Sequence, residues 1–285
     1  MQPSFPIPTP LDYFAALVQS DEQFPLLEAS ASVAQDEYPE MDVQQVLGDV
    51  DQLLARIKRR LAADAPPLHR LRMLNQFFYR ELGFGGNANN YYDPDNSYLN
   101  AVLRTRLGIP ISLAVIWMEL AQGLHLQVRG ISFPGHFLVK VNLPKGQVVL
   151  DPCSGQSLSR EDLVERLAPY KEQQRLEHGE HFDVPLGLYL QSARPRDILA
   201  RMLRNLKEIH RSQSDAQRLL AVQNRLVILL PEAWAEYRDR GLTHADLGHT
   251  DEAVLDLEKY LICADEARDT AVIADRVSAL RRLRH

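Results

Sequence analysis

Three short stretches decide the fold of this chain: Gly108-Ile109-Pro110-Ile111-Ser112, then Pro134-Gly135-His136-Phe137, then Val148-Val149-Leu150-Asp151-Pro152. The first opens a long apolar run, and Pro110 favours a helix start there because its missing N–H costs nothing at that position. The second places a histidine on a predicted strand, and the third places an aspartate at the end of another. The order is a small residue at a helix start, then histidine, then carboxylate.

This order is typical of acyl-transfer chemistry. A nucleophile at a helix N-terminus has its anion favoured by the helix dipole. A histidine within hydrogen-bond reach serves as base, and a carboxylate orients that histidine. His136 and Asp151 are separated by one predicted turn. They can therefore lie on adjacent antiparallel strands with both side chains on one face.

The predicted helix start carries no cysteine. Pro110 has no nucleophilic group, whereas Ser112 has a hydroxyl that could attack a substrate with help from His136 and Asp151. A serine is a far weaker nucleophile than a cysteine. Cys153 lies two residues beyond Asp151, past a proline and away from the helix start. We therefore do not expect Cys153 to replace the missing thiol.

The composition excludes several classes of protein. The 285 residues are 45% hydrophobic and 25% charged, with a formal net charge of −6, and this balance offers no concentrated positive face for nucleic acid. Two cysteines far apart in the chain fit a reducing compartment. The N-terminal segment lacks the basic stretch and apolar core of a signal peptide. No apolar run approaches the roughly 20 residues that span a bilayer. We expect a cytoplasmic protein that binds neither nucleic acid nor membrane.

The spacing of apolar residues predicts an α+β fold with a small antiparallel sheet. After a proline-rich, extended segment at 1–10, helices are predicted over 11–36 with a break near 24–25, and over 42–63, 68–82, 98–106, 111–123 and 160–168. Ser97 is the expected cap of the helix at 98–106. Strands at 124–132, 137–142 and 147–150 form a meander with a turn at 144–146. Residues 170–192 are predicted to be irregular.

From Pro195 onward the pattern is helical and repeats with a period of 36 residues, so that Leu206 aligns with Leu242 and Leu219 with Leu255. Small residues at 245 and 253 let paired helices approach closely, and Gly248 allows the turn between them. These features resemble the tetratricopeptide repeat, whose period is about 34 residues. With two helical pairs and a last helix at about 265–283, this part should depend on the preceding domain for stability.

The region from 87 to 155 resembles the bacterial SirB1 family. The resemblance rests on the stretch from Asn87 to Asn100, the Gly108–Ser112 stretch, the His136 motif and the segment from Leu150 to Gly155. It implies a transglutaminase-like, papain-like domain over residues 1–192 and a tetratricopeptide-like helical domain over 193–285. In that domain type the helix start usually carries a cysteine, and here Pro110 or Ser112 takes its place.

Two functions fit these residues. The leading hypothesis is a degenerate, non-catalytic transglutaminase-like protein that acts as a protein- or peptide-binding regulatory module, with Ser112, His136 and Asp151 as a vestigial triad. The alternative is a serine-type amidase, peptidase or acyl transferase that uses the same three residues. Whether the protein is an enzyme stays open at this point.

Polar and aromatic residues near the triad complete the candidate site. Tyr92, Tyr98 and Asn100 are tentative binding residues that could line a pocket beside His136, although they could equally cover the core. Asp93 and its neighbours lack the regular spacing of a calcium loop and are better explained by turn formation. We predict no metal, no cofactor and a protein or peptide partner.

Overall fold

The computed structural model describes residues 8–179, 183–264 and 268–282, and within them the chain forms two compact units. One unit contains Leu26–Ala31 and Asp42–Ile198. The other contains the chain up to Pro25, Ser32–Met41 and the chain from Leu199 onward. This division differs from the predicted boundary at 192/193, because N-terminal residues group with the C-terminal helices.

The first unit is an α+β domain, as the sequence predicts. Its helices α2–α8 and the start of α9 surround two small sheets. The helices are α2 Leu26–Ser32, α3 Val43–Lys58, α4 Pro67–Asn75, α5 Leu99–Thr105, α6 Pro110–Gly123, α7 Arg160–His178, α8 Leu186–Tyr189 and α9 Pro195–Ser212. A short 3-10 turn lies at Pro94–Asn96, and a π-helical segment at Gln76–Glu81 continues α4. Another 3-10 turn, at Val33–Asp36, belongs to the other unit.

The predicted meander is present. Strands β3 Gln127–Ile131, β4 Leu138–Leu143, β5 Gly146–Leu150 and β6 Ser157–Leu158 form an antiparallel sheet in the order β3-β4-β5-β6. Strands β1 Gly85–Gly86 and β2 Leu107–Gly108 form a separate parallel pair. The β4–β5 hairpin pairs Leu143 with Gly146, which fixes the register of the whole hairpin.

Helix α6 is the centre of the α+β unit. It is buried on nearly all sides, as expected for a helix whose residues are apolar all round. Its Trp117 is 1% exposed, and the indole N–H donates to the side-chain oxygen of Asn75 at 3.1 Å. Burial of the whole helix fixes the position of its first turn.

The second unit is all-helical in its described part. It contains α1 Pro10–Leu17, most of α9, α10 Ala216–Leu229, α11 Trp234–Asp246, α12 Thr250–Cys263 and α13 Thr270–Arg282. Arg225, which is fully buried, joins the N-terminal segment to α10: its guanidinium pairs with Asp36 at 2.6 Å and lies 4.9 Å from the centre of the Phe14 ring. The predicted turn at Gly248 is confirmed, since its φ of 78° lies in the region that favours glycine.

Three local predictions differ from the structure. Tyr98, and not Ser97, is the N-cap of α5, and no side chain caps that end. The predicted helix at 68–82 changes to π-helical geometry at Gln76. Helix α7 passes through Pro169 and ends at His178, and α8 follows, so 170–192 is not irregular as a whole. Residues 1–7 of the proline-rich segment, and 265–267 and 283 of the predicted last helix, lie outside the described residues.

Among the described residues, we find no helix that combines the length and the apolar character needed to cross a bilayer.

A close approach between α11 and α12 makes one glycine essential to the helical unit. A Cβ at Gly241 would lie 2.8 Å from the Cγ atom of Leu257 and 3.1 Å from the Cβ atom of Asp256. We expect Gly241→Ala to lower the free energy of unfolding by about 1–3 kcal/mol, because overpacking of a core costs that much. Urea denaturation followed by circular dichroism measures the change.

Gly48→Ala is the matched control. Gly48 lies within α3, and a Cβ there would meet no atom within 4 Å. Alanine favours a helix over glycine by about 1 kcal/mol, so this variant should be at least as stable as the wild type. Equal behaviour of the two variants would contradict the close approach at Gly241.

Candidate functional site

The β4–β5 hairpin brings His136 and Asp151 together at one end of the sheet. Asp151 directly follows β5, as predicted. His136 does not lie on a strand, contrary to the prediction, but in the turn that precedes β4. The two side chains still meet, with His136 Nε2 3.0 Å from Asp151 Oδ1. The predicted pairing of imidazole and carboxylate is therefore present in the structure.

Asp151 accepts hydrogen bonds from three directions. Besides His136, the backbone N–H of Cys153 donates to Oδ1 at 2.9 Å, and Arg166 Nη1 donates to Oδ2 at 3.1 Å. Burial disfavours the charged carboxylate and would raise the pKa of Asp151. The hydrogen bonds from His136 and the Cys153 N–H, together with the charges of His136 and Arg166, have the larger effect. They lower the pKa of Asp151 to about 2. Asp151 is therefore ionised at neutral pH.

A thiol also lies in this site, contrary to the expectation for Cys153. Its Sγ atom, a His136 ring nitrogen and an Asp151 oxygen lie within 4.8 Å of one another. Cys153 follows β5 in a turn at 152–154, and its backbone N–H donates to Asp151 Oδ1, which holds the residue close to the carboxylate. The signal in the sequence was that Cys153 follows Asp151 by only two residues.

Cys153 does not have the environment of an activated thiol. Burial, the Asp151 charge and a hydrogen bond to Asp151 raise its pKa to about 12, although the Arg166 charge opposes the shift. The thiol is therefore protonated at neutral pH. A thiolate is the reactive form of cysteine, so the resting site holds a weak nucleophile.

Strand β1 links the thiol to the start of α6. Gly86 pairs with Gly108, the residue two before Pro110, and the backbone N–H of Gly86 donates to the Cys153 carbonyl at 3.3 Å. A Cβ at Gly86 would lie 2.9 Å from Cys153 Sγ, so only glycine lets the chain pass this close. The helix start and the Cys153 loop are thus neighbours across β1.

Ser112 is placed differently from a catalytic serine. The residue is 0% exposed, and its hydroxyl donates to the carbonyl oxygen of Asn96 at 2.6 Å, with the Ile109 carbonyl at 3.0 Å. Within the described residues these two carbonyls are its only hydrogen-bond partners. A hydroxyl that is buried and directed to backbone oxygens does not contact a substrate or donate to His136.

The tentative binding residues are dispersed. Tyr92 is 71% exposed on the loop that follows β1, whereas Tyr98 is 3% exposed and belongs to the core. Asn100 lines a cavity between α3 and α5. Asp93 accepts from the Asp95 backbone N–H at 3.0 Å, which confirms the turn-forming interpretation of this segment.

Among the described residues, one set of side chains could offer metal ligands: the nitrogen, oxygen and sulfur of His136, Asp151 and Cys153. Such a mixed set suits a borderline cation such as Zn²⁺. Arg166 opposes that use, because its positive charge already neutralises the Asp151 carboxylate. The residues therefore fit a carboxylate-centred hydrogen-bond network better than a metal centre.

The lowered pKa of Asp151 predicts a loss of stability in acid. The carboxyl group stabilises the fold above its ordinary pKa of 3.8, and this contribution is lost as the pH falls toward about 2. We expect Asp151→Asn to lower the free energy of unfolding at pH 6 and to flatten its dependence on pH between 5 and 3. The shift in the pKa of Asp151 corresponds to at most about 2.5 kcal/mol of stability.

The measurement is urea denaturation at a series of pH values, with Asp64→Asn as the control because Asp64 is exposed. The control variant should keep the wild-type dependence on pH. A wild-type slope in the Asp151→Asn variant would show that the network around Asp151 does not stabilise the folded state.

Two family matches cover most of the chain. The transglutaminase-like superfamily matches residues 44–204, and the tetratricopeptide repeat matches residues 206–280. The order and nature of the two domains agree with the architecture that the SirB1 resemblance implied, which is thereby confirmed. No solved structure matches the chain.

Curated relatives give the family. A UPF0162 protein of Xylella fastidiosa is 37% identical over 246 residues, which cover 85% of this chain and 84% of the relative. A UPF0162 protein of Pseudomonas aeruginosa is 29% identical over 259 residues, with 90% of each chain covered. The UPF0162 protein YchA of Escherichia coli is 24% identical over 225 residues, covering 76% of this chain and 78% of that one. The chain belongs to the UPF0162 family, and it combines a transglutaminase-like domain with tetratricopeptide-type helices.

Proposed function

We propose that this protein is a cytoplasmic binding module whose transglutaminase-like site holds a segment of a partner protein without acyl transfer. The observation that carries the proposal is the state of the helix start. Pro110 has no reactive group there, and the Ser112 hydroxyl is buried and bonded to backbone oxygens. The site keeps its imidazole and carboxylate but has no exposed nucleophile at the first turn of α6.

The thiol in the site supports the same conclusion. A Cys–His pair needs the sulfur proton to pass to the imidazole, yet the Cys153 thiol faces a carboxylate that favours its protonated form. Arg166 pairs with that carboxylate and holds it in place. The network is thus suited to fixing the shape of a binding surface.

An exposed aromatic pair on the loop that follows β1 offers a contact for a partner. Tyr91 and Tyr92 are 49% and 71% exposed, and their rings meet edge to face with centres 5.4 Å apart. The loop that carries them is held by amide hydrogen bonds, including Asn87 to Asn96 at 3.0 Å and Asn96 to the Asn90 carbonyl at 2.6 Å. Rigid, exposed tyrosines are favoured at protein interfaces, since they bury much area at little entropic cost.

A cavity lined in part by the loop after Cys153 offers a second contact. It has a volume of about 720 Å³ and is lined by residues of α4, the π-helical segment and the loop after Cys153, namely Asn75, Gln76, Tyr79, Arg80 and Ser154–Gln156. Its size is within the range of about 300–1,000 Å³ that small ligands occupy, so it could hold one side chain of a bound segment. Tetratricopeptide repeats, which the second unit contains, commonly bind peptides.

Site-specific photo-crosslinking in cells tests the proposal. With a benzophenone amino acid in place of Tyr92, we expect a crosslink to a discrete partner. The same substitution at Leu176, which is 81% exposed on α7, is the control and should give no such product. Identical products from both positions would show that the tyrosine loop does not form a specific interface.

One observation favours a second candidate, a cysteine-dependent hydrolase or acyl transferase. Cys153, His136 and Asp151 together supply a nucleophile, a base and an orienting carboxylate within 4.8 Å. Proton transfer from sulfur to His136 would create the thiolate, which would attack an acyl carbon and expel the leaving group. This candidate differs from the serine alternative only in its nucleophile.

Alkylation kinetics separate the two candidates. The experiment uses a Cys263→Ser background, which removes the exposed thiol. If the binding proposal holds, iodoacetamide should label Cys153 slowly at neutral pH, and the rate of labelling should rise only at alkaline pH. A catalytic cysteine would instead react rapidly near neutral pH, and His136→Ala would abolish that reactivity. Fast, His136-dependent labelling would overturn the non-catalytic proposal.

A further inference from the structure

A second cavity lies between α3 and α5, within the same α+β unit. Its volume is about 280 Å³. Three of its lining residues are arginines and one is acidic: the lining comprises Asp49, Gln52, Leu53, Arg56, Asn100, Leu103, Arg104 and Arg106. The lining is strongly basic although the chain as a whole is acidic, with a net charge of −6.

Two of these arginines have no acidic partner. Within the part of the chain that the structure describes, neither Arg56 nor Arg106 forms an ion pair. The Arg56 guanidinium lies 5.4 Å from the centre of the Phe77 ring, and that of Arg106 lies 4.7 Å from the centre of the Phe84 ring. Attraction to a ring uses the charge of a guanidinium and not its N–H donors, which are therefore available for a ligand.

The other charged residues of the lining neutralise the positive charge of Arg56 and Arg106 only in part. Arg104 lies 3.7 Å from Asp95, a loose contact with both side chains exposed. Asp49 accepts a hydrogen bond from the Gln45 side chain at 2.9 Å. Burial and the charge of Arg56 lower the pKa of Arg106, although the Asp49 charge opposes this shift. Two like charges thus face one cavity without an anion that balances both.

The backbone at Arg106 is strained. Its φ is 64°, in the left-handed region, and it forms the C-cap of α5, a position where glycine is favoured. Asn100, six residues earlier, has a buried side-chain oxygen with no hydrogen-bond partner among the described residues. Backbone strain clusters at ligand-binding sites, and an unpaired buried polar atom calls for a partner such as a ligand.

We propose that this cavity binds a phosphate group, with the guanidiniums of Arg56 and Arg106 as the principal donors and Arg104 at its edge. Planar guanidiniums match phosphate oxygens through paired hydrogen bonds. The Asn100 amide can accept a hydrogen bond from a phosphate hydroxyl or, after rotation, donate to a phosphate oxygen. The volume suits inorganic phosphate or the phosphate end of a small monoester.

Binding to this cavity is independent of the proposed partner site, because no residue is shared between them. Titration calorimetry and thermal unfolding of the full chain with inorganic phosphate, in chloride buffer of constant ionic strength, test the inference. We expect saturable binding and a saturable rise in melting temperature. Arg56→Gln should weaken phosphate binding at least tenfold.

Arg106→Gly supplies a second variant that is expected to fold, because glycine accepts the left-handed backbone while the guanidinium is lost. It should also bind phosphate at least tenfold more weakly. Arg72→Gln, which removes an exposed arginine on α4 outside the cavity, is the control and should bind phosphate as the wild type does.

Comparison of inorganic phosphate with glycerol phosphate distinguishes the two sources of the ligand. Tighter binding of the monoester would identify a phosphorylated small molecule, and tighter binding of inorganic phosphate would identify the free ion. A linear, unsaturable response, or equal binding by the wild type and both cavity variants, would overturn the inference.

Discussion

The carboxylate of Asp151 is the interaction on which the candidate site depends. It lies at the end of β5 and accepts hydrogen bonds from His136, the Cys153 backbone and Arg166 of α7. These partners come from three separate segments of the chain, so one side chain fixes the hairpin end, the following loop and a helix together. Without the negative charge, the Arg166 guanidinium and the imidazole would both lose their shared partner.

The same carboxylate limits the chemistry of the site. In a thiol enzyme, positive charge near the sulfur favours the thiolate. Here the group next to Cys153 is negative, and the arginine that could have favoured a thiolate is paired with Asp151. The retained imidazole and carboxylate therefore fit a structural role. In that role the hydrogen-bond network fixes the positions of β1, the hairpin and α7, and a partner can bind the surface that they form.

Much of the fold could be predicted from local patterns. The apolar run after Pro110 predicted a buried helix, alternation and one turn predicted the meander, and small residues predicted the paired helices from Pro195 onward. The order of Gly108, His136 and Asp151 also predicted that imidazole and carboxylate would meet. Each of these features depends on residues close in sequence, or on pairing across a single turn.

The positions of Cys153, Ser112 and the arginine cavity could not be predicted, because they depend on contacts between segments that are distant in the sequence. Cys153 reaches the site because the chain turns directly after β5, and because Gly86 leaves room for its sulfur. Ser112 is buried because the carbonyl of Asn96, from a distant loop, accepts its hydroxyl. The arginine cavity needs α3 and α5 side by side, which no motif in either helix indicates.

The association of the N-terminal segment with the C-terminal helices has a consequence for synthesis on the ribosome. Asp36 pairs with Arg225, which follows it by 189 residues, and Glu37 binds Arg218. Most of the α+β unit, Asp42–Ile198, is translated between these partners and can begin to fold while α10 is still unmade. The contacts of Phe14, Asp36 and Glu37 with α10 form only after that helix has been made, so the helical unit is completed last.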